Sequence, residues 1–267
     1  MPDRVVDLAA QHATPALLAV RDCLLVALAF STGIYEGISF LTFGKVFSAA
    51  QTGNIVLLGI GAHTPQPAGP NAVTVVIALA AFAAGAALAM PILKTFEGDR
   101  PIQDNKVFHQ VWPCRVSIVL AITLILQAGF LAVWVTAASP ATLAYPLIAL
   151  SAFAMGLQMN AIRDLHVPGV NVTAFSATFI DLASGIAKWS LTAPAVRRLA
   201  GTLVAMVAGA FVGDLMLGHA HSYAPVVPMV VIAVVIWVAS VALRPRPNPA
   251  GKQGSPVQQV VTENLPD

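Results

Sequence analysis

Apolar residues in this chain come in runs rather than in alternation with polar ones. Six runs, over Cys23 to Phe43, Ala72 to Leu93, Val116 to Ala138, Leu143 to Ile162, Leu199 to Leu217 and Ala224 to Leu243, approach the ~20 residues that an α-helix needs to cross a hydrocarbon layer of about 30 Å. Two more, Ile55 to Ala62 and Ala174 to Ala187, are too short. Each lies between the first and second long runs of its half of the chain, so the order long, short, long, long occurs twice. The pattern predicts an all-α integral membrane protein with about six transmembrane helices and two short re-entrant or half-length segments.

Composition agrees with that class. Hydrophobic residues make up 57% of the chain and charged residues only 10%, well under the roughly 25% charged fraction of soluble domains. The lipid bilayer is therefore the first expected partner. No basic run with interleaved aromatics suggests a nucleic-acid surface. The segment Met1 to Pro15 contains Asp3 and Asp7, and the run after it has no clear small-residue cleavage site, so the first span is expected to be retained. Cys23 and Cys114 have no Cys or His partner at metal-ligand spacing, and His219 and His221 lack a third ligand. No metal or cofactor is expected.

Charge placement decides the topology, because cytoplasmic loops are rich in Lys and Arg and exported loops are poor in them. If only the six long runs cross and the N-terminus is inside, Lys45 alone of the 14 Lys and Arg residues lies outside. If the short runs also cross, Lys94, Arg100, Lys106, Arg115 and Arg163 join Lys45 outside. The six-span assignment therefore wins. It divides the chain into a cytoplasmic segment over residues 1–20, one transmembrane domain over residues 21–243 and a tail over residues 244–267. The tail is rich in Pro, Gln and Gly and is expected to be disordered and cytoplasmic.

The two halves, about 21–138 and 139–243, resemble each other. A shift of 124 residues sets Thr52 on Ser176, Leu58 on Leu182, Gly61 on Gly185, Leu79 on Leu203 and Gly85 on Gly209, and a shift one residue shorter sets Gly33 on Gly156. A half that crosses three times reverses the orientation of the next half. The expectation is a pair of inverted repeats, a recurring transporter architecture with discontinuous helices near the midplane.

Polar residues inside this apolar frame are the candidates for chemistry. Glu36 falls within a predicted span, where a charge costs about 2.5 to 3.5 kcal/mol on insertion scales. Thr32, Glu36 and Ser39 share one helical face, and Gly33 and Gly37 form a close-packing pair beside it. Gly209 and Gly213 form a similar pair. The knot Gln51-Thr52-Gly53-Asn54 allows two readings. In one, Val46 to Gln51 dips about halfway into the bilayer, since six extended residues reach roughly 20 Å. Thr52 or Asn54 then caps a half-helix whose positive end lies near the midplane. In the other, Gly53 and Asn54 form an ordinary interfacial turn. Ser176 and Asp181 hold comparable places in the second half, and Gln158 and Asn160 offer amides either to the same cavity or to interhelical hydrogen bonds. Glu36 itself is either a pathway acid or a structural acid hydrogen-bonded to a neighbouring segment.

The stretch Gly33-Ile34-Tyr35-Glu36-Gly37-Ile38-Ser39-Phe40, followed by Phe47 and by Thr52-Gly53-Asn54, resembles the first-half signature of the YoaK-like bacterial transmembrane proteins, a domain-of-unknown-function family. Gly156, Gln158, Asn160 and the pair Asp181-Leu182 match its second-half pattern. Ser176-Ala177 stand where that family has Thr-Gly, and Glu36 stands where Asp is usual. The resemblance implies a multi-pass protein of the bacterial plasma (inner) membrane and supplies no activity.

The functional expectation is a membrane permease or channel for a small solute, proton-coupled through Glu36 or Asp181. Its cavity lies between two inverted repeats and is lined by Glu36, Thr52, Gly53, Asn54, Gln158, Asn160, Ser176 and Asp181. The competing class is a non-transporting scaffold or sensor that packs through GxxxG faces, which also allow a homo-oligomer. An enzyme is not expected, since no Gly-x-Ser-x-Gly and no His pair with an acid at metal spacing occurs. Reporter fusions after Gly69 and Ser139 are expected to report the outside and fusions after Gln103 and Arg246 the cytoplasm. An exported fusion at Gln103 contradicts the six-span assignment.

Overall fold

The computed structural model describes residues 15–64, 68–95, 111–136, 143–165, 167, 180, 182–184 and 194–243. Among the described residues there are helices and no strands. The long apolar runs form α1 (Pro15–Thr42), α3 (Ala72–Thr95), α4 (Cys114–Thr136), α5 (Ala144–Arg163), α6 (Pro194–His219) and α7 (Val226–Ala242), and the first short run forms α2 (Gln51–His63). Among the described residues six helices are long and apolar enough to cross a membrane, α7 being counted together with the 3₁₀ turn at His221–Tyr223 before it. The protein is an all-α multi-pass membrane protein.

The helices alternate in direction. At one face Arg115 Nε lies 2.6 Å from Asp164 Oδ2, joining the start of α4 to the end of α5, and Arg198 Nη1 lies 3.0 Å from Asp22 Oδ2, joining the start of α6 to that of α1. At the other face the end of α4 meets the segment before α7, where Trp134 Nε1 donates to the carbonyl of His221 at 3.0 Å. The segments that flank the short helix α2 both lie at that second face. Lys45 Nζ donates to the carbonyl of Ala68 at 2.8 Å, and the N–H of Asn71 donates to the carbonyl of Gly44 at 3.0 Å. The segments flanking α2 therefore touch each other, and α2 does not cross. The chain leaves α1 through Gly44 at φ 86° and Lys45 at φ 62°, left-handed backbone that Gly adopts freely and Lys only under constraint.

Two boundaries differ from the sequence reading. Helix α1 already includes Pro15, the first described residue, eight residues before the apolar run, and Asp22 binds both Arg21 and Arg198 within this extension. Helix α2 starts at Gln51 rather than Ile55, which puts the whole polar knot in its first turn. Of the second short run, only Ile180 and Leu182 to Ser184 are described, all helical. Ser176, Asp181, residues 1–14 and the tail 244–267 lie outside the described residues.

Two glycine crossings hold the bundle together. Lipid tails are as apolar as Leu, so helices in a membrane associate by close backbone fit. In the α1–α6 crossing a Cβ on Gly33 would collide with the carbonyl of Met206 and one on Gly209 with the carbonyl of Phe30. Gly37 faces the carbonyl of Ala210 and Gly213 that of Ile34. In the α3–α5 crossing Gly156 lies against the carbonyl of Phe82 and Gly85 against that of Phe153. All six glycines are used within the chain. Replacing Gly33 or Gly156 by Val is expected to cost more than the ~1 to 3 kcal/mol of ordinary overpacking, because the opposing atoms are backbone. Either change should remove the monodisperse peak in size-exclusion chromatography. At Gly59 no atom lies within 4 Å of an added Cβ, so Gly59→Ala should leave the peak intact and raise the melting midpoint through helix propensity.

Candidate functional site

The site starts from the inner face of α1. Thr32, Tyr35, Glu36 and Ser39 recur at helical spacing and are all buried, Glu36 with 4% of its surface exposed. A buried carboxylate needs donors, and Glu36 finds them in the segment leading into α2. Its Oε1 accepts from the N–H of Ala49, from the N–H of Ala50 at 3.1 Å and from Ser48 Oγ at 3.4 Å. Glu36 precedes the end of α1 by six residues, a rise of about 9 Å. The segment at 48–50 therefore turns inward to that depth.

This arrangement corrects the expected cap. Thr52 is exposed and caps nothing. The N-cap position is Ala50, which offers no side chain for the purpose, and an acid from another helix closes the turn instead. The rest of the knot braces the same segment. Asn54, fully buried, accepts the N–H of Phe47 at 2.9 Å and donates to the Phe47 carbonyl at 2.7 Å and to Gln51 Oε1 at 2.9 Å. Gln51 Nε2 donates to the Ser48 carbonyl at 3.0 Å. The ring of Phe47 stacks on Phe40 with centroids 4.9 Å apart, and an added Cβ on Gly53 would lie 3.1 Å from that ring, so Gly53 makes room for it.

Helices α4 and α5 complete the interior. Gln158 Nε2 donates to Thr32 Oγ1 at 3.3 Å, and Ser151 lies two turns away on the same face of α5. Thr123, Gln127, Phe130 and Trp134 form the buried face of α4, and Phe130 meets Tyr35 edge-on with ring centroids 5.8 Å apart. Phe43, Phe130, Trp134 and His221 form a continuous aromatic group toward the second face. Asn160 lies apart from this interior. Its Nδ2 donates to the Ala86 carbonyl at 2.7 Å, in the α3–α5 crossing.

Several interior polar atoms are buried and find no hydrogen-bond partner among the described residues. They are Glu36 Oε2, the hydroxyls of Tyr35, Ser39 and Ser151, Gln158 Oε1 and both amide atoms of Gln127. Gln127 stands near the middle of α4, three residues from Phe130, and so lies at the depth of the Tyr35 contact.

The sequence profile of the DUF1275 family, described as proteins of unknown function, matches residues 24–238. The chain belongs to this family. It is 30% identical over 170 residues to the UPF0700 transmembrane protein YoaK of Bacillus subtilis (strain 168), a match covering 63% of this chain and 68% of that relative. No solved structure matches the chain. Every interior residue named above lies inside the region shared with the DUF1275 family.

Of the residues singled out from the sequence, Glu36, Asn54 and Gln158 are buried in this arrangement and Gly53 packs against it, while Gln127 and Ser151, buried as well, were not singled out. Gln127 carried a usable signal, as an amide in the middle of an otherwise apolar span. Its importance depends on which face of α4 turns inward, and that follows from the Tyr35–Phe130 contact. The anchoring role of Glu36 is testable with a cysteine at Ser48, fully buried beside it, in a background lacking Cys23 and Cys114. That cysteine should resist an impermeant thiol reagent in the parent and in Glu36→Gln, whose amide oxygen still accepts N–H bonds. In Glu36→Leu it should label at least tenfold faster, because the N–H groups of Ala49 and Ala50 lose their acceptor.

Proposed function

We propose that this protein is a multi-pass permease or channel of the bacterial plasma (inner) membrane for a small solute. Both termini are cytoplasmic, and the pathway runs between α1, α4 and α5. The observation that carries the reading is the set of buried polar atoms without partners at mid-membrane depth, above all both ends of Gln127. A bundle built only for packing has no use for them, since each unpaired group in an apolar interior costs on the order of 2 to 7 kcal/mol. Water or a passing solute supplies the missing partners.

The inverted-repeat architecture belongs to the same proposal, with halves of about 21–138 and 139–243, and the glycine crossings support it. Phe30, Gly33, Met206, Gly209 and Ala210 of one crossing correspond, at shifts of 123 or 124 residues, to Phe153, Gly156, Phe82, Gly85 and Ala86 of the other. The polar chemistry is not duplicated in the same way, since Met159 holds the place in α5 that Glu36 holds in α1. Coupling to protons, if carried by a described acid of the interior, falls to Glu36, because Asp164 is paired with Arg115 at the charged face.

The alternative of a scaffold that packs through GxxxG faces loses its main support, because Gly33, Gly37, Gly209 and Gly213 are all occupied in the α1–α6 crossing. Self-association must then use the lipid-facing sides of the helices. A role without catalysis follows from the same reading. Gln127→Leu separates the two classes. In a permease, purified protein in proteoliposomes should lose flux of its solute at least tenfold, with an unchanged or raised melting midpoint, since an unpaired amide has been replaced by an apolar group of similar size. In a scaffold, wild-type liposomes show no flux above protein-free ones across a broad solute panel.

A further inference from the structure

The interior also indicates the charge of what it takes, and this inference rests on the permease reading above. The sequence leaves the sign open, because helix N-termini attract anions whereas buried carboxylates attract cations. In the structure these two features have already met. The N–H groups leading into α2, from Ala49 and Ala50, are taken by Glu36 Oε1, so the place an anion would occupy holds the protein's own carboxylate. What Glu36 leaves for a ligand is Oε2, buried and without a partner. No described Lys, Arg or His forms an ion pair with it.

The neighbouring groups point to the same class of ligand. Gln158 Oε1 and Gln127 Oε1 are acceptors, Gln127 Nε2 is a donor likewise without a partner, and the hydroxyls of Tyr35, Ser39 and Ser151 accept as well as donate. Calcium and similar hard cations require six to eight oxygen ligands, more than a single free carboxylate oxygen and a few separate neutral groups provide. An ammonium group needs only three or four acceptors. Aromatic rings that stabilise cations adjoin the site, with Phe130 against Tyr35 and stacked on Trp134 at 5.7 Å.

We propose that the interior between α1, α4 and α5 is a binding site for a small ammonium-type cation, with Glu36 as its counter-charge and the carbonyls of Gln127 and Gln158 as further acceptors. The test is calorimetric titration of the full-length protein in nanodiscs with methylammonium, and separately with formate as the anion probe. Methylammonium is expected to bind saturably to the wild type, at least tenfold more weakly to Glu36→Gln and more weakly to Gln127→Leu, and formate is expected to give no saturable heat. Absence of methylammonium binding to the wild type overturns the proposal, and so does saturable formate binding. Unchanged methylammonium affinity in both variants also overturns it. Proteoliposome flux separates this from the broader reading. Methylammonium binding without flux retires the permease and keeps the site, whereas flux of an anion or an uncharged solute without methylammonium binding keeps the permease and retires the site.

Discussion

Non-helical backbone at membrane depth survives only where protein or enclosed water satisfies its polar groups. Here the contact between Glu36 and the segment at Ser48 to Ala50 meets that requirement. One carboxylate oxygen closes the turn into α2 and lets the chain double back at the second face. Asn54 repeats the logic four residues into the helix by binding both backbone groups of Phe47. Without these side-chain contacts the polar knot would have no place below the end of α1. The cost of burying an acid and the cost of an irregular turn thus offset each other.

The glycine crossings set the frame in which this contact works. Backbone-to-backbone packing of α1 on α6 and of α3 on α5 turns the opposite face of α1 and the neighbouring face of α5 inward. The polar stripe of α1 then meets Gln158 of α5 and, through Tyr35 and Phe130, the Gln127 face of α4. Ion pairs at the charged face and aromatic stacking at the other bound this interior from its two ends. The acid holds the short helix on one side and leaves its second oxygen to the interior, so a single residue links the turn to the site.

Much of the fold was legible in the sequence because membrane spans are written in run length and Lys and Arg placement. The six long helices, the non-crossing first short helix and the close-packing role of Gly33, Gly37, Gly209 and Gly213 all followed from such local patterns. What the pattern could not supply were pairings across long separations. Glu36 read equally as pathway acid or structural acid, because nothing in a linear sequence says that its donors are the N–H groups of Ala49 and Ala50. Thr52 looked like a cap and is exposed, since the helix starts one residue before it and the cap comes from α1. Asn160 read as a cavity amide or as an interhelical donor and is the latter, bound to α3, because a difference of two positions from Gln158 turns it to another side of the helix. Ser176 and Asp181 fall outside the described residues, so the second half of the expected site rests on sequence alone.

The central claim is that the interior between α1, α4 and α5 is polar because something other than the protein fills it. An electron cryomicroscopy map of the protein in nanodiscs, at a resolution that shows ordered water, tests this most directly. The account predicts discrete non-protein density within hydrogen-bond distance of Gln127 and of Glu36 Oε2. A dry interior, with the Gln127 amide bonded to backbone and Glu36 Oε2 paired to a protein cation, contradicts it.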